Sequence, residues 1–238
     1  MLLQIDITRI ILVYVIQGIL AIFFSLIAFQ IIRRNKQRFN LIFSGFFICI
    51  TIGNLLNMIY AVLSDELMIL ILNFLTNFFI FFGTVFIFIG NMIILESTVI
   101  FSIKRQNRYI FYYGISLLIG MLVILIFFEG VTINPLGYPI WSPIFFIYVI
   151  SLVSCFSIIP MIYTTLKIYF SFETKKLKRK WLNHLIGALG GISILYLILI
   201  SNLLDNATYR SIISLVGISI VVWAFLMYRG IGFKLKRE

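Results

Sequence analysis

Residues 67–95 read LMILILNFLTNFFIFFGTVFIFIGNMIIL, and this stretch decides the fold class. It contains no proline and no charged side chain. A membrane span needs roughly 20 apolar residues, because the hydrocarbon is about 30 Å thick and a helix rises about 1.5 Å per residue. The apolar run is continuous rather than alternating, so it predicts a helix and not a strand of a membrane β-barrel. This helix is longer than a bilayer requires, and we expect its last turns, near Glu96 to Lys104, to lie at or beyond the inner interface.

Six further runs meet the same test of length and hydropathy. Of the 238 residues, 62% are hydrophobic and 11% are charged, whereas about a quarter of the residues in a soluble domain are charged. This composition excludes a soluble enzyme and a nucleic-acid-binding protein, and 17% aromatic residues exclude a disordered chain. We therefore predict an all-α integral membrane protein, one domain over residues 1–238. The seven predicted transmembrane helices are about 8–32, 41–63, 67–95, 109–128, 144–170, 183–204 and 211–228.

Basic side chains lie in alternate connections between the spans, and the other connections carry acidic residues such as Asp65, Glu66 and Asp205. Lys and Arg are retained on the cytoplasmic side of a membrane, so the N-terminus is predicted outside and the C-terminus in the cytoplasm. The net charge of +11 then indicates contact with anionic lipids, at about 1 kcal/mol per basic side chain, and not with nucleic acid. The first span has no basic leader or small-residue cleavage site, and we expect it to be retained as an anchor in the plasma or inner membrane.

Two pairs of asparagines define a candidate ligand-binding site. Asn54 and Asn57 are three residues apart in the second span, and Asn73 and Asn77 are four apart in the third, so each pair shares a helical face. The short connection between these spans makes them antiparallel neighbours, with all four amides in the outer half. One interpretation is interhelical hydrogen bonding, worth about 0.6 kcal/mol per contact. The other is a polar pocket open to the outside that binds a neutral or weakly polar ligand. The residues assigned to the pocket are Gln17, Asn54, Asn57, Tyr60, Asn73, Asn77 and Asn202.

A second group of residues is assigned to signalling or to an interface on the cytoplasmic side. Glu96 is the acidic residue inside an apolar run, and its simplest interpretation is an ion pair with Lys104 or Arg105 near the inner interface. The alternative is a proton-linked or signalling role within the membrane. A basic run precedes the sixth span. The group consists of Glu96, Lys176, Lys178, Arg179 and Lys180.

Other features are given structural roles. His184 is predicted at the lipid headgroups, because a single histidine cannot form a haem or zinc site. The outer connection 129–143 holds three of the four prolines and predicts a folded cap, with Tyr138 and Trp141 near the headgroups. Pro160 predicts a kink in the fifth span, and the small residues in 187–191 predict close helix packing. Both cysteines are interpreted as packed apolar side chains, and no metal or cofactor is predicted.

Motifs that define several classes of membrane protein are missing from the sequence. The seventh span has no lysine for a retinal Schiff base. The Asp-Arg-Tyr and Asn-Pro-x-x-Tyr motifs of G-protein-coupled receptors are absent, as are the metalloprotease and nucleophile-elbow motifs. We therefore expect the protein not to be an enzyme.

The chain resembles the seven-helix membrane region that precedes the signalling domains of many prokaryotic sensor histidine kinases. The resemblance extends from Thr8 to about Gly232. It rests on LESTVIF at 95–101 before Lys104 and Arg105, on NPL at 134–136, and on KLKRK at 176–180 before a Gly-rich span. It implies a sensor that signals to a cytoplasmic kinase. No phosphoacceptor helix or ATP-binding domain follows here, so the output is expected to pass through a separate partner, or else the chain is part of a longer protein.

Together these features predict a non-enzymatic seven-helix membrane sensor or receptor-like protein, which relays a signal through its cytoplasmic loops. The alternatives are a small-solute transporter or channel and a membrane scaffold subunit. Transporters often have broken helices and repeated halves, and in this sequence only Pro160 is predicted to interrupt a span. The expected partners are membrane lipids, anionic on the cytoplasmic side, and either a cytoplasmic signalling protein or a second copy of the chain.

Overall fold

A computed structural model describes residues 13–34, 36–135 and 137–231. Within these residues, seven helices are long and apolar enough to cross a membrane, which confirms the predicted class of an all-α, seven-helix protein. The beginning of the first predicted span, residues 8–12, lies outside the described part. The helices are α1 (Val13–Arg34), α2 (Arg38–Tyr60), α3 (Glu66–Ile100), α4 (Ile103–Phe127), α5 (Pro143–Ser171), α6 (Lys175–Leu203) and α7 (Ala207–Ile231).

A small β-hairpin forms the connection between α4 and α5. Strands β1 (Val131–Ile133) and β2 (Pro139–Trp141) pair antiparallel, and the turn between them includes Gly137 at a φ of 78°. We call the end of the helix bundle that carries this hairpin the hairpin end. The opposite end, where α2, α4 and α6 begin among lysines and arginines, is called the basic end.

Trp141 is not at the lipid headgroups, so that prediction is wrong. Its ring is 1% exposed and packs edge-on against Phe145, with ring centroids 4.9 Å apart, and against Phe81 at 6.1 Å. The large ring fills the space between Phe81 of α3 and Phe145 of α5. It thereby fixes the hairpin to the helices beneath it.

The helices that begin at the hairpin end carry side-chain caps. Asp65 Oδ1 accepts a hydrogen bond from the Met68 amide at 2.8 Å, and Asn206 Oδ1 accepts one from the Tyr209 amide at 2.9 Å. Ser142 Oγ accepts from the Phe145 amide at 3.3 Å, directly before Pro143. Such caps satisfy backbone N–H groups that the first turn of a helix leaves unpaired, and they fix where α3, α5 and α7 begin.

Two helices begin earlier than the sequence analysis predicted. α4 begins at Ile103 and α6 at Lys175, instead of near residues 109 and 183. The basic residues Lys104, Arg105 and Arg108, and the basic run Lys175–Lys180, therefore lie in helical turns and not in loops. Lys and Arg are good helix formers, and their long side chains reach water while their methylenes lie along the helix. α3 has 35 residues and is about 52 Å long, well beyond the hydrocarbon thickness, as expected.

Glycines allow α6 and α7 to approach closely, which confirms the predicted role of the small residues in 187–191. A Cβ placed on Gly187 would lie 2.5 Å from the Trp223 carbonyl oxygen and 2.6 Å from the Met227 amide nitrogen. A Cβ on Gly190 would overlap the Trp223 ring. Gly191 differs, because a Cβ there would meet nothing within 4 Å.

His184 lies in this same close contact and not at the headgroups, so its predicted position is wrong. The side chain is 0% exposed. Its ring lies 4.7 Å from the Trp181 ring and 6.0 Å from the Phe43 ring, between centroids. Gly230 makes this burial possible, because a Cβ there would lie 2.6 Å from the His184 backbone nitrogen.

In the described residues, three helices contain irregular segments. α1 begins with a π-helical turn, Val13–Gln17. In α5, a π-helical turn, Ser154–Ile158, comes directly before Pro160, at the place where a kink was predicted. In α7, the helix ends at Gly217 and begins again at Ile220, and tight turns through Ile218 and Ser219 join the two parts. The prediction that only Pro160 interrupts a span is therefore wrong.

Candidate functional site

A cavity of about 260 Å³ lies in the centre of the bundle. Its walls come from α1, α2, α3, α5, α6 and α7, and Tyr138 and Pro139 of the hairpin line it at the hairpin end. All seven residues that the sequence analysis assigned to a ligand pocket line this one cavity. The polar and charged side chains on its wall are those of Gln17, Asn54, Asn57, Tyr60, Asn73, Thr76, Asn77, Thr84, Tyr138, Ser201, Asn202, Arg210 and Ser214.

Part of this wall forms the interhelical hydrogen bonds of the simpler interpretation. Asn73 Nδ2 donates to the Tyr60 hydroxyl at 3.3 Å, which joins α3 to α2. Asn77 Nδ2 donates to the Asn73 carbonyl oxygen at 2.8 Å and to Asn73 Oδ1 at 3.1 Å. Both asparagines are buried. These two amides therefore hold each other and the neighbouring helix in a defined arrangement.

Several residues that line the cavity have a side-chain atom that is buried without a hydrogen-bond partner, among them Asn54 Nδ2, Thr76 Oγ1 and Gln17 Oε1. Asn54 is 5% exposed and Thr76 is 3% exposed. A buried amide or hydroxyl without a partner costs about 1–3 kcal/mol, so each atom favours an occupant that can bond to it. The unpaired donor and acceptors indicate that the cavity binds polar groups as well as separating helices.

Close packing of α2 and α3 brings Gly53 against Thr76. A Cβ on Gly53 would lie 3.1 Å from the Thr76 carbonyl oxygen and 2.7 Å from Ile80 Cγ1. Asn54 follows Gly53 in α2, and both Asn54 and Thr76 line the cavity.

The hairpin lines one end of the cavity and is held by two hydrogen bonds and a cation–ring contact. Arg210 Nη2 donates to the Pro139 carbonyl oxygen at 2.9 Å, and the guanidinium lies 5.0 Å from the centroid of the Tyr138 ring. Asn134 Nδ2 donates to Asp205 Oδ1 at 3.0 Å, which joins the hairpin to the connection between α6 and α7. Tyr138 is half-buried and lines the cavity at the hairpin end, and its predicted position near the headgroups stays a prediction.

Polar residues closer to the basic end form hydrogen bonds between helices. The Ser157 hydroxyl donates to Thr84 Oγ1 at 2.8 Å, and the Tyr113 hydroxyl donates to the Phe81 carbonyl oxygen at 3.1 Å. Asn91 Nδ2 donates to Thr165 Oγ1 at 2.7 Å. These contacts join α3 to α4 and α5 across the core. The polar stripe of α3 is therefore divided between the cavity and these interhelical contacts.

The five residues assigned to signalling lie on two of the helices that line the cavity. Lys176, Lys178, Arg179 and Lys180 form the beginning of α6, at the basic end. Glu96 lies near the end of α3 and is half-buried. In the described part of the chain Glu96 forms no ion pair with Lys104 or Arg105, so the predicted pairing is wrong. Arg105 Nη1 instead contacts the Ile100 carbonyl oxygen at 3.4 Å, because α4 begins directly after α3.

Six polar or charged residues of the cavity wall were not assigned to the pocket from the sequence, and Thr76 and Arg210 are two of them. Thr76 lies beside Asn77 and one turn from Asn73, so the helical period that selected the asparagines also predicts its position. Arg210 lies in the seventh span, away from the basic clusters, and a charged residue within a span is itself a signal of function. As for metals, the described residues contain no group of three or more His, Cys, Asp or Glu side chains that could hold an ion.

The fold and the cavity define the class of protein. Over the residues that the structure describes, the chain is all-α, with seven helices long and apolar enough to span a membrane and a partly polar cavity between them. Compared with known proteins, the chain matches no family model, no curated protein and no solved structure. The similarity to the membrane region of sensor histidine kinases therefore stays a prediction.

Proposed function

We propose that this protein is a non-enzymatic seven-helix membrane sensor, which binds a small uncharged ligand in the central cavity and passes the signal to a separate cytoplasmic partner. The observation that carries the proposal is the unpartnered group of polar atoms on the cavity wall: Asn54 Nδ2, Thr76 Oγ1 and Gln17 Oε1. A bound molecule that forms hydrogen bonds with these atoms removes the free-energy cost of burying them without a partner.

Continuous helices supply a route from the cavity to the basic end. α6 lines the cavity between Ala188 and Asn202, and the same helix begins at Lys175. α3 lines it between Asn73 and Ile87 and carries Glu96 further along. Because a helix moves nearly as a rigid rod, a shift of about 1–2 Å at the cavity also displaces these ends. Lys176, Lys178, Arg179, Lys180 and Glu96 are the residues proposed to contact the partner.

The orientation proposed for the sensor places the hairpin end outside the cell and the basic end in the cytoplasm. Its support is the distribution of charge, since Asp65, Glu129 and Asp205 lie at the hairpin end and the basic clusters lie at the other. Lys and Arg near a span are kept on the cytoplasmic side, where anionic lipids of the plasma or inner membrane attract them.

The relay is testable without knowing the ligand. Ala188→Phe places a larger side chain on the cavity wall, where Ala188 is 3% exposed. Spin labels at Lys176→Cys on α6 and Arg105→Cys on α4, which does not line the cavity, report the distance between the two helices at the basic end. The background carries Cys49→Ala and Cys155→Ala. We expect the filled cavity to shift this distance by about 1–2 Å.

The matched control is Leu189→Phe, one residue further along α6, where the side chain is 42% exposed and does not line the cavity. It should leave the label-to-label distance unchanged. An unchanged distance in a correctly folded Ala188→Phe protein would contradict the relay and with it the proposed sensor.

A transporter is the second candidate, and the interruption of α7 favours it. Gly217 and Ile220 on either side of the break both line the cavity, and broken helices beside a central site are typical of transporters. A cysteine at Ser214, on the cavity wall, separates the two candidates in the same cysteine-free background. A membrane-impermeant charged thiol reagent should reach it from one side only in a sensor, and from both sides in a transporter.

A further inference from the structure

The cavity changes from polar to apolar along its length, and the change runs in the same direction on each long wall. On α2, Phe46 and Ile50 precede Asn54, Asn57 and Tyr60 toward the hairpin end. The neighbouring α3 runs the opposite way, and its amides come before its aliphatic side chains. Antiparallel helices with reversed sequence patterns therefore produce one polar half and one apolar half.

α6 and α7 show the same change from polar side chains at the hairpin end to apolar side chains toward the basic end. On α6, Ala188, Ile192 and Leu195 precede Ser201 and Asn202 toward the hairpin end. On α7, Arg210 and Ser214 lie toward the hairpin end, and Ile220, Ala224 and Met227 continue toward the basic end. The apolar half is therefore built by several helices and is not a local irregularity of one.

Thr84 is a polar residue in the apolar half, but its hydroxyl already has hydrogen-bond partners in the protein. It donates to the Phe81 carbonyl oxygen at 2.7 Å and accepts from the Ser157 hydroxyl at 2.8 Å. By contrast, the unpartnered wall atoms of Gln17, Asn54 and Thr76 all lie in the polar half. Water molecules would form hydrogen bonds with those atoms, but they would not fill the apolar half, because apolar cavities stay dry.

The unpartnered atoms also define the head of the occupant. Asn54 Nδ2 is a donor and needs an acceptor, Gln17 Oε1 is an acceptor and needs a donor, and Thr76 Oγ1 can take either role. A carboxylate is only an acceptor and leaves Gln17 Oε1 unpaired. Arg210 is the charged side chain on this part of the wall, and its guanidinium already donates to the Pro139 carbonyl oxygen and lies against the Tyr138 ring. A primary amide offers a carbonyl oxygen and an N–H group at one carbon, and fits both requirements.

We infer that the ligand of this cavity is a short uncharged amphiphile, with a head that both donates and accepts hydrogen bonds and an unbranched apolar tail directed toward Met227. The inference rests on the proposed ligand-binding function and names the chemical class. At about 30 Å³ for each water-sized group, the cavity of about 260 Å³ holds roughly nine non-hydrogen atoms. A complete membrane phospholipid is too large, so the occupant is a medium-chain molecule from water or one released within the bilayer.

Radiolabelled octanamide is the probe, bound to the protein in nanodiscs of a zwitterionic lipid. The Ala188→Phe protein provides the background from partitioning into lipid, and Leu189→Phe should bind as the wild type does. Unlabelled acetamide, butanamide, hexanamide, octanamide and dodecanamide then compete. We expect the apparent affinity to rise by up to about fourfold per added methylene as far as octanamide, and to stop rising at dodecanamide.

Two further comparisons test the head. Octanoate should compete at least tenfold more weakly than octanamide. Thr76→Val removes the hydroxyl with little change of shape and should weaken octanamide binding by about fivefold. Thr51→Val is its control, since the Thr51 hydroxyl bonds to the Phe47 carbonyl oxygen and is not on the cavity wall. Mass spectrometry of lipid extracts from the purified protein distinguishes a bilayer-derived occupant from one that enters from water.

Each result supports or overturns the inference. Absence of saturable octanamide binding, equal affinity for acetamide and octanamide, or octanoate binding as tight as octanamide contradicts it. The proposed sensor is judged separately, because the spin-label distance in Ala188→Phe needs no ligand. A positive relay with no amphiphile binding would leave a sensor for another class of molecule.

Discussion

Two glycines one turn apart on α6 have opposite surroundings. A Cβ on Gly187 would lie 2.5 Å from the Trp223 carbonyl oxygen, and one on Gly191 would meet nothing within 4 Å, at the cavity wall. Both positions are helical, so alanine improves the intrinsic helix propensity equally at each. The pair therefore separates packing from propensity at the scale of one methyl group.

We predict that Gly187→Ala destabilises the protein by about 1–3 kcal/mol, because the backbone of α7 must move away. Gly191→Ala should instead stabilise it by about 0.5–1 kcal/mol, because the more flexible glycine is removed without a clash. Thermal unfolding of the two variants in the same detergent measures the difference. Equal midpoints would show that α6 and α7 are not in the close contact described.

Single residues also show what a sequence can reveal about the site. Spacing placed Asn54 with Asn57 and Asn73 with Asn77, because the helical period determines which residues share a face. It could not show that Asn73 and Asn77 bond to each other while Asn54 Nδ2 has no partner, since that depends on distances between helices. His184 was misplaced for the same reason, because its burial depends on Gly230 in a different helix.

At the scale of elements, hydropathy predicted the number of helices but placed several ends poorly. It tracks the hydrocarbon core, and α4 and α6 continue beyond it through lysines and arginines. The β-hairpin was predicted only as a folded cap, because two strands of three residues carry almost no periodic signal. The interruption of α7 contains no proline, so the usual sequence marker of a broken helix is absent.

The hairpin depends on Arg210, and this dependence gives a prediction for the element. Arg210→Met removes the bond to the Pro139 carbonyl oxygen and the contact with the Tyr138 ring. We expect the backbone amides of residues 131–141 to exchange hydrogen at least tenfold faster, because about 1.5–3 kcal/mol of charge-assisted bonding is lost. Hydrogen–deuterium exchange with mass spectrometry measures this.

Arg229→Met is the matched control for the hairpin, since Arg229 lies near the opposite end of the same helix α7. It should leave exchange in residues 131–141 as in the wild type. If Arg210→Met also leaves the exchange unchanged, the Trp141 ring packed against Phe81 and Phe145 is sufficient to hold the hairpin, and the arginine serves the cavity alone.

At the scale of the whole molecule, the distribution of charge and the number of predicted spans independently predict that the two ends of the bundle lie on opposite sides of the membrane. Seven described helices are long enough to cross a membrane, and an odd number of crossings places the two ends of the bundle's chain on opposite sides. Separately, α2, α4 and α6 all begin among basic residues at one end. The basic residues at the start of these three helices therefore all predict the same orientation, with the basic end in the cytoplasm.

We predict that a tag at the N-terminus is digested by protease added outside intact cells, while a tag at the C-terminus is digested only after the membrane is permeabilised. A cytoplasmic protein of the same cells, monitored for digestion, shows that the membranes were intact. Tags that respond together would mean an even number of crossings and contradict the seven-span topology. If only the C-terminal tag were digested in intact cells, the orientation would be the opposite of the one proposed, with the hairpin end in the cytoplasm. The polar half of the cavity would then face the inside of the cell. The basic end would lie outside, where it could not meet a cytoplasmic partner, so this result would contradict the proposed relay through α6.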